Sequence, residues 1–362
     1  MFLTFGEIMA RIAPPERLRW RQSVPGKVEV TWGGGEANVA ASLAMFGLPA
    51  RYLTALPRHA ITETLVSTLR GLGVDTDKIL WRKQGRLGLY FVEVGANQRG
   101  STVLYDREYS AISLAQPEEF DFDAALQGAR WLHITGITPA ISENAFRSNL
   151  ALVQRAKQLG VTVSCDLNFR KKLWTWRPGT ASKALARECM SATLPFVDVV
   201  IANEEDASDV LGIQASGSDI THGHVNASAY IEVAREIQRQ FSNVSKVAIT
   251  LRESLSADHN NWGAMLYDAP SKHACYAPLD PNGKYHPHQI HDIVDRVGAG
   301  DSFAAGLIYG LNAPDLGTPD KALQFAVAAS CLKHSVQGDF NYVTKEEVLA
   351  LMGGNASGRV QR

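Results

Sequence analysis

Past residue 128 the chain alternates short runs of β-branched and aromatic residues with longer amphipathic stretches, the pattern that builds a parallel sheet from βαβ units. Residues 131–135 predict a strand, 142–159 a helix stopped by Gly160, and 161–165 the next strand. Two more strands are expected over 197–201 and 246–251, with a helix over 229–241 between them. These strands run into polar residues: Asp166-Leu167-Asn168, Asn203-Glu204-Glu205-Asp206 and Arg252-Glu253-Ser254. In a parallel α/β sheet such residues share the carboxyl edge, where ligands bind. Further on, an apolar run over 290–294 predicts a strand and the small residues of 302–311 a helix. Thr318-Pro319-Asp320 and the pair Thr344 and Glu347 mark two later helix starts. The small residues Ala326, Ala328, Ala329 and Ser330 suit either close helix packing or a nucleotide pocket.

The first third reads differently. Residues 87–94 and 101–105 are β-rich and are joined through Gly95 and Gly100 with no helix between, which predicts a hairpin outside the main sheet. Together with residues near 10–32 it forms an expected small β lid, about 10–32 and 84–112, that excludes water from the carboxyl edge. No low-complexity linker or internal repeat sets the lid apart. Residues 1–352 therefore read as one α/β domain with a mainly parallel central sheet, followed by a polar tail over 353–362. The lid's exposed edge needs protection, and pairing lids between two subunits would supply it, so a homodimer is expected.

Composition narrows the function classes. With 362 residues, 45% hydrophobic and 20% charged, the chain can bury a large core. The net charge of −1 comes from interspersed Lys, Arg, Asp and Glu, which offers no basic face to nucleic acid and no cationic amphipathic stretch to a membrane. The expected partner is a small molecule. The opening Met1-Phe2-Leu3-Thr4-Phe5-Gly6 lacks the features of a secretory signal, so a cytoplasmic protein is expected. Asn226-Ala227-Ser228, Asn243-Val244-Ser245 and Asn355-Ala356-Ser357 then carry no weight as glycosylation sites. Cys165, Cys189, Cys275 and Cys331 form no C-x-x-C pair, against zinc or a redox couple. His286-Pro287-His288 and His291 read as a solvated loop flanked by Pro281 rather than a metal site.

Two glycine segments carry the chemistry. Gly298-Ala299-Gly300-Asp301 opens a helix, so a carboxylate sits beside unpaired N–H groups where an anion would bind. Asp301 as a plain helix cap is the alternative. Gly33-Gly34-Gly35-Glu36-Ala37-Asn38-Val39-Ala40 precedes a helix ending near Gly47, and its backbone can approach a ligand closely. Asn38 offers donor and acceptor to a sugar hydroxyl, or caps the helix. Neither segment is a Walker P-loop or a dinucleotide fingerprint.

Taken together, these segments resemble the ribokinase-type (PfkB) carbohydrate kinases across nearly the whole chain. The resemblance also includes Gly6-Glu7-Ile8-Met9, Asn203-Glu204-Glu205-Asp206 and Asp295-Arg296-Val297 ahead of Gly298. Within that family the chain is most similar to the 2-keto-3-deoxygluconate kinases. The segments that carry this are Gly88-Leu89-Tyr90, Leu104-Tyr105-Asp106-Arg107, Thr135-Gly136-Ile137-Thr138-Pro139-Ala140 and the run from Asp166 through Arg170 to Trp174.

The resemblance implies a ribokinase-like three-layer α/β/α sandwich with a small β-sheet lid, and ATP-dependent phosphorylation of a terminal hydroxyl of a sugar acid. Asp301 would be the catalytic base, with the amides of Gly298, Ala299 and Gly300 stabilising the transferring phosphoryl. Gly34, Gly35, Asn38, Tyr90, Tyr105, Arg107 and Arg170 would hold the sugar. Asn203, Arg252, Gly263, Gly298 and Gly300 would hold ATP, and Asp206 would serve Mg²⁺ through water. Two arginines favour a carboxylate-bearing sugar, because a guanidinium grips a carboxylate with two prongs. Surface salt bridges are the alternative for Arg107 and Arg170. The rival functions are a kinase for a neutral sugar of the fructose or ribose type and a catalytically silent sugar-binding protein. Three departures stand out: Leu251-Arg252-Glu253-Ser254 and the polar run to Asn260-Asn261-Trp262 replace a short glycine turn, Asp206 replaces a longer Glu, and Gly35 replaces Ala.

Overall fold

A computed structural model describes residues 1–203, 205–213 and 229–355. Glu204, the Asn226-Ala227-Ser228 pattern and residues 356–362 of the expected tail lie outside the described residues. The first third holds β1 (Phe2–Phe5), β2 (Met9–Ala13), β3 (Glu29–Gly33), α1 (Gly35–Met45), β4 (Ala50–Leu53), β5 (Ala55–Pro57), α2 (Ala60–Gly71), β6 (Leu80–Arg82), β7 (Gly88–Glu93) and β8 (Thr102–Asp106). The middle alternates β9 (Trp131–Thr135), α3 (Glu143–Gln158), β10 (Thr162–Asp166), α4 (Ser182–Thr193), β11 (Val199–Ala202) and α5 (Ala229–Gln240). Then come β12 (Lys246–Ser256), β13 (His259–Asp268), β14 (His273–Ala277), β15 (His288–Ile290), α6 (Ala299–Asn312), α7 (Pro319–Lys333) and α8 (Lys345–Met352).

Among the described residues the central sheet has nine strands, ordered β14-β13-β12-β11-β10-β9-β1-β4, with β15 paired to β13. Every neighbour from β12 to β4 is parallel, and β13, β14 and β15 add an antiparallel edge. Buried apolar side chains cover both faces. Leu152, Leu185 and Ile237 from α3, α4 and α5 pack on one face, while Val39, Phe303 and Phe325 from α1, α6 and α7 pack on the other. This is the three-layer arrangement expected.

Local chemistry explains where the helices start. The hydroxyls of Ser142, Thr318 and Thr344 each accept a backbone N–H from the first turn of their helices, and Glu347 returns the capping box at Thr344. The small residues of α7 serve packing. A Cβ added at Gly306 would lie 2.8 Å from the Ala326 Cα, and one at Gly310 would lie 2.6 Å from the Ala322 Cα. Helices α6 and α7 therefore touch backbone to backbone, and Ala326, Ala328 and Ala329 belong to the core.

A second sheet, ordered β3-β2-β7-β8, stands apart from the first. Its β7–β8 hairpin is antiparallel as expected, and β2 joins β7 in parallel. Two segments differ from expectation. The 290–294 run leaves the ladder at Ile290, because Asp292 takes a φ of 54° and Ile293 donates its N–H to the Asp258 carbonyl. The Arg252-Glu253-Ser254 run, expected as a strand end, lies inside β12, which continues into a long hairpin with β13.

Candidate active site

The carboxyl edge of the central sheet and the second sheet enclose a cleft of about 330 Å³. It is lined by Gly34, Gly35, Asn38, Tyr90, Tyr105, Arg107, Arg170, Asn203, Asp206, Arg252, Gly298, Gly300 and Asp301, residues spread over some 270 positions of sequence.

The turn into α6 is shaped by Gly298. Its φ of 85° is the left-handed conformation, and a Cβ there would strike the Asp339 carbonyl oxygen. The Ser302 N–H closes the first helical bond to the Gly298 carbonyl at 2.8 Å. Ala299 is buried and its N–H reaches only the Arg296 carbonyl, at 3.4 Å. Among the described residues no acceptor is recorded for the Gly300 and Asp301 amides. Gly300 faces open space, so this terminus presents donors and a helix dipole to the cleft.

Asp301 sits half-buried one turn into this terminus, and its Oδ2 accepts a 2.7 Å hydrogen bond from the Asn38 side-chain amide. Asn38 lies inside α1 rather than capping it, since Gly34 holds the N-cap. Its orientation is fixed from the other end: Oδ1 accepts the Gly34 N–H at 3.3 Å, which turns the NH₂ toward Asp301. Burial raises the Asp301 carboxyl to about 6, against the lowering effect of the Asn38 bond and the Arg170 and Lys333 charges, with Asp339 adding to the rise. At neutral pH the group is ionised yet basic enough to take a proton.

Two further carboxyls close the floor. Asp166 accepts the Asn168 N–H at 3.2 Å, and burial, then the charges of Asp206 and Asp301, push its carboxyl well above the usual range. Asp206 is raised too, chiefly by burial. Both of its oxygens are engaged, by the Phe169 and Asn203 amides at 3.0 Å each, so it ties two strand-end loops together.

Toward the second sheet, Arg107 is buried and ion-paired to Glu7, donating from Nε to Oε2 at 2.6 Å. Its charge is therefore matched within the protein. Arg170 is exposed to the cleft and donates to the Phe169 carbonyl at 3.1 Å. Tyr105 lies under the Arg107 guanidinium, while the Tyr90 hydroxyl donates to Asp339 at 2.6 Å and presents only its ring. Gly263 does not line the cleft: it faces Leu251 across the hairpin, and a Cβ there would strike the Tyr285 ring.

Glu7, Trp262, Arg296 and Asp339 carry no site assignment from the sequence, and Asp166 and Asn168 figure there only as a strand end; all six line the cleft. Asp339 is the most consequential. Arg11 of β2 bonds Asp339 at 2.9 Å and Asp295 at 2.6 Å, both pairs buried, and Asp295 accepts the Val297 N–H. The second sheet is thus bolted to the turn that carries Asp301. Nothing in the run around Gly338-Asp339-Phe340 marks it beforehand.

A ribokinase-like sandwich with a cleft between its carboxyl edge and a small second sheet defines a sugar-kinase class of protein. The chain belongs to the pfkB family of carbohydrate kinases, whose family model matches residues 1–254 and 263–345. It is 30% identical over 357 residues to the 2-dehydro-3-deoxygalactonokinase of Haloferax volcanii, covering 98% of each chain. The 2-dehydro-3-deoxygluconokinase of Thermoproteus tenax is 26% identical over 309 residues, 84% of this chain and 80% of that one. Among solved structures, the 2-dehydro-3-deoxygluconokinase of Thermotoga maritima matches with a TM-score of 0.86 and 44% identity over 98% of this chain and 99% of that chain. No helix among the described residues is long and apolar enough to cross a membrane.

Proposed function

We propose that the protein transfers the γ-phosphoryl group of ATP to the terminal hydroxyl of a keto-deoxy sugar acid, 2-keto-3-deoxygluconate giving its 6-phosphate. The observation that carries this reading is the Asn38–Asp301 hydrogen bond at 2.7 Å. It joins the first glycine helix to a carboxylate at an anion-binding terminus. The hydroxyl oxygen forms a bond to the γ-phosphorus as the bond to the departing ADP breaks, and Asp301 takes the hydroxyl proton. The Gly300 and Asp301 amides meet the charge on the transferring group. The names of the relatives support the acid substrate.

The donor set suits Mg²⁺-ATP: open amides and Arg252 for phosphates, and the Asp166 oxygen not used by Asn168 for a hydrated cation, with Asn203 and Asp206 fixing the loop between. Magnesium supplies neutralisation of phosphate charge. Residues 1–352 act as one cytoplasmic kinase domain in this reading. Two copies pair through the second sheet, whose outer residues Val30 and Leu104 are 55% and 62% exposed.

A neutral-sugar kinase is the second reading, favoured by one observation: Glu7 already matches the Arg107 charge. Arg170 then decides the substrate. Arg170→Ala should raise the KM for the acid sugar about 10- to 100-fold, the worth of a charge-assisted hydrogen-bonded pair, and leave that for fructose unchanged. An equal rise for both sugars contradicts the acid reading.

A further inference from the structure

The family model skips residues 255–262, and the structure shows what this chain builds there. Strands β12 and β13 run past the point where β11 stops, at Ala202 opposite Ile249, and carry a hairpin beyond the carboxyl edge. The hairpin tip bonds in two directions. Toward the second sheet, the Asp258 carboxylate pairs with Arg17 at 3.1 Å and accepts the Asn97 N–H at 3.1 Å, and the Ala257 N–H donates to the Asn97 carbonyl at 2.7 Å. Toward the anion turn, the Asp258 carbonyl accepts the Ile293 N–H at 3.1 Å, and Arg296 donates to the Ser256 carbonyl at 2.9 Å. Arg17 closes the loop by donating to the Ile293 carbonyl at 2.9 Å. Arg296 lines the cleft two residues before Gly298.

We infer that this hairpin is a strap and Asp258 a positioning residue, holding the small sheet over the sugar in register with the phosphate-binding turn. The inference rests on the kinase reading above but concerns a segment outside the family model. Each contact is small and partly exposed, so the strap holds the sheet closed without locking it. Its fingers reach the connections of the sheet, at residues 17 and 97, and leave the strands free to move as one body. Asp258 touches no substrate in this scheme and acts through Arg17 and Asn97, which its carboxylate bonds.

The test uses the full chain and two variants, Asp258→Ala and Arg17→Ala. Hydrogen exchange without substrates should quicken in β7, β8 and their connection in both. The sugar KM should rise about 10-fold, the order expected from one exposed ion pair and one or two hydrogen bonds, with kcat within about twofold of wild type. The double variant should lose less than the two single losses combined, because the Asp258–Arg17 pair is removed in both, but more than Asp258→Ala alone, because the Arg17–Ile293 bond goes as well. Unchanged exchange, or quicker exchange with an unmoved sugar KM, overturns the strap. A wild-type protein that phosphorylates no sugar acid defeats the kinase reading instead, and the exchange measurement still reads the strap.

Discussion

At the scale of single residues, Asp301 and Asn38 set the pH behaviour. Burial lifts the Asp301 carboxyl to about 6, and in the proposed transfer its protonated form cannot accept the hydroxyl proton. The rate constant kcat/KM should therefore fall tenfold per pH unit below about 6. The Asn38 bond lowers this value, so Asn38→Ala should move the acid limb to higher pH, read from a pH–rate profile. Asp301→Asn should lose about 10²–10⁴-fold in rate while sugar binding by calorimetry survives. Asp301 and Asn38 were legible because each lies in a glycine segment with a definite local geometry. Glu7 and Asp339 were not, since each acquires its role only from a partner, Arg107 and Arg11, about 100 and 328 positions away.

At the scale of elements, the strands and caps of the βαβ half followed from periodicity and capping chemistry, because those signals are local. The hairpin at 252–262 did not, because its polar residues carry no period and its length is set by what its tip touches. Elements also meet through particular atoms. Arg11 fastens β2 to the loop before α6, and Arg11→Ala would strip the buried Asp295 and Asp339 of their shared ion-pair partner, leaving them only neutral hydrogen-bond donors, a loss of about 3–5 kcal/mol in denaturant unfolding. The α6–α7 contact is equally tight: Gly310→Val should cost about 1–3 kcal/mol or more through overpacking against Ala322.

Across the whole molecule, buried carboxyls make stability depend on pH. Glu36 is fully buried beneath the site, bonded by Thr135 and Thr138, and burial raises it to about 7. Its folded-state value exceeds its unfolded one, so its contribution is full below about pH 4.5 and is lost as pH rises through about 7. Glu36→Gln keeps the acceptor oxygen and removes the charge, so the melting temperature of the variant should fall less than that of wild type between pH 5 and 7.5. The mainly parallel central sheet and the small second sheet were readable in advance as a class of fold, though the strand order was not. The division of labour across the cleft was not, because it depends on chain segments that meet only in three dimensions.

Substrate preference is read by ADP release from the wild-type protein, with Mg²⁺ and ATP, across keto-deoxy sugar acids, ketoses, pentoses and nucleosides. A keto-deoxy acid should give the highest kcat/KM, and its product should carry phosphate on the terminal hydroxyl. Preference for a neutral sugar, or ADP release indifferent to every sugar offered, would contradict the proposed acid-sugar kinase.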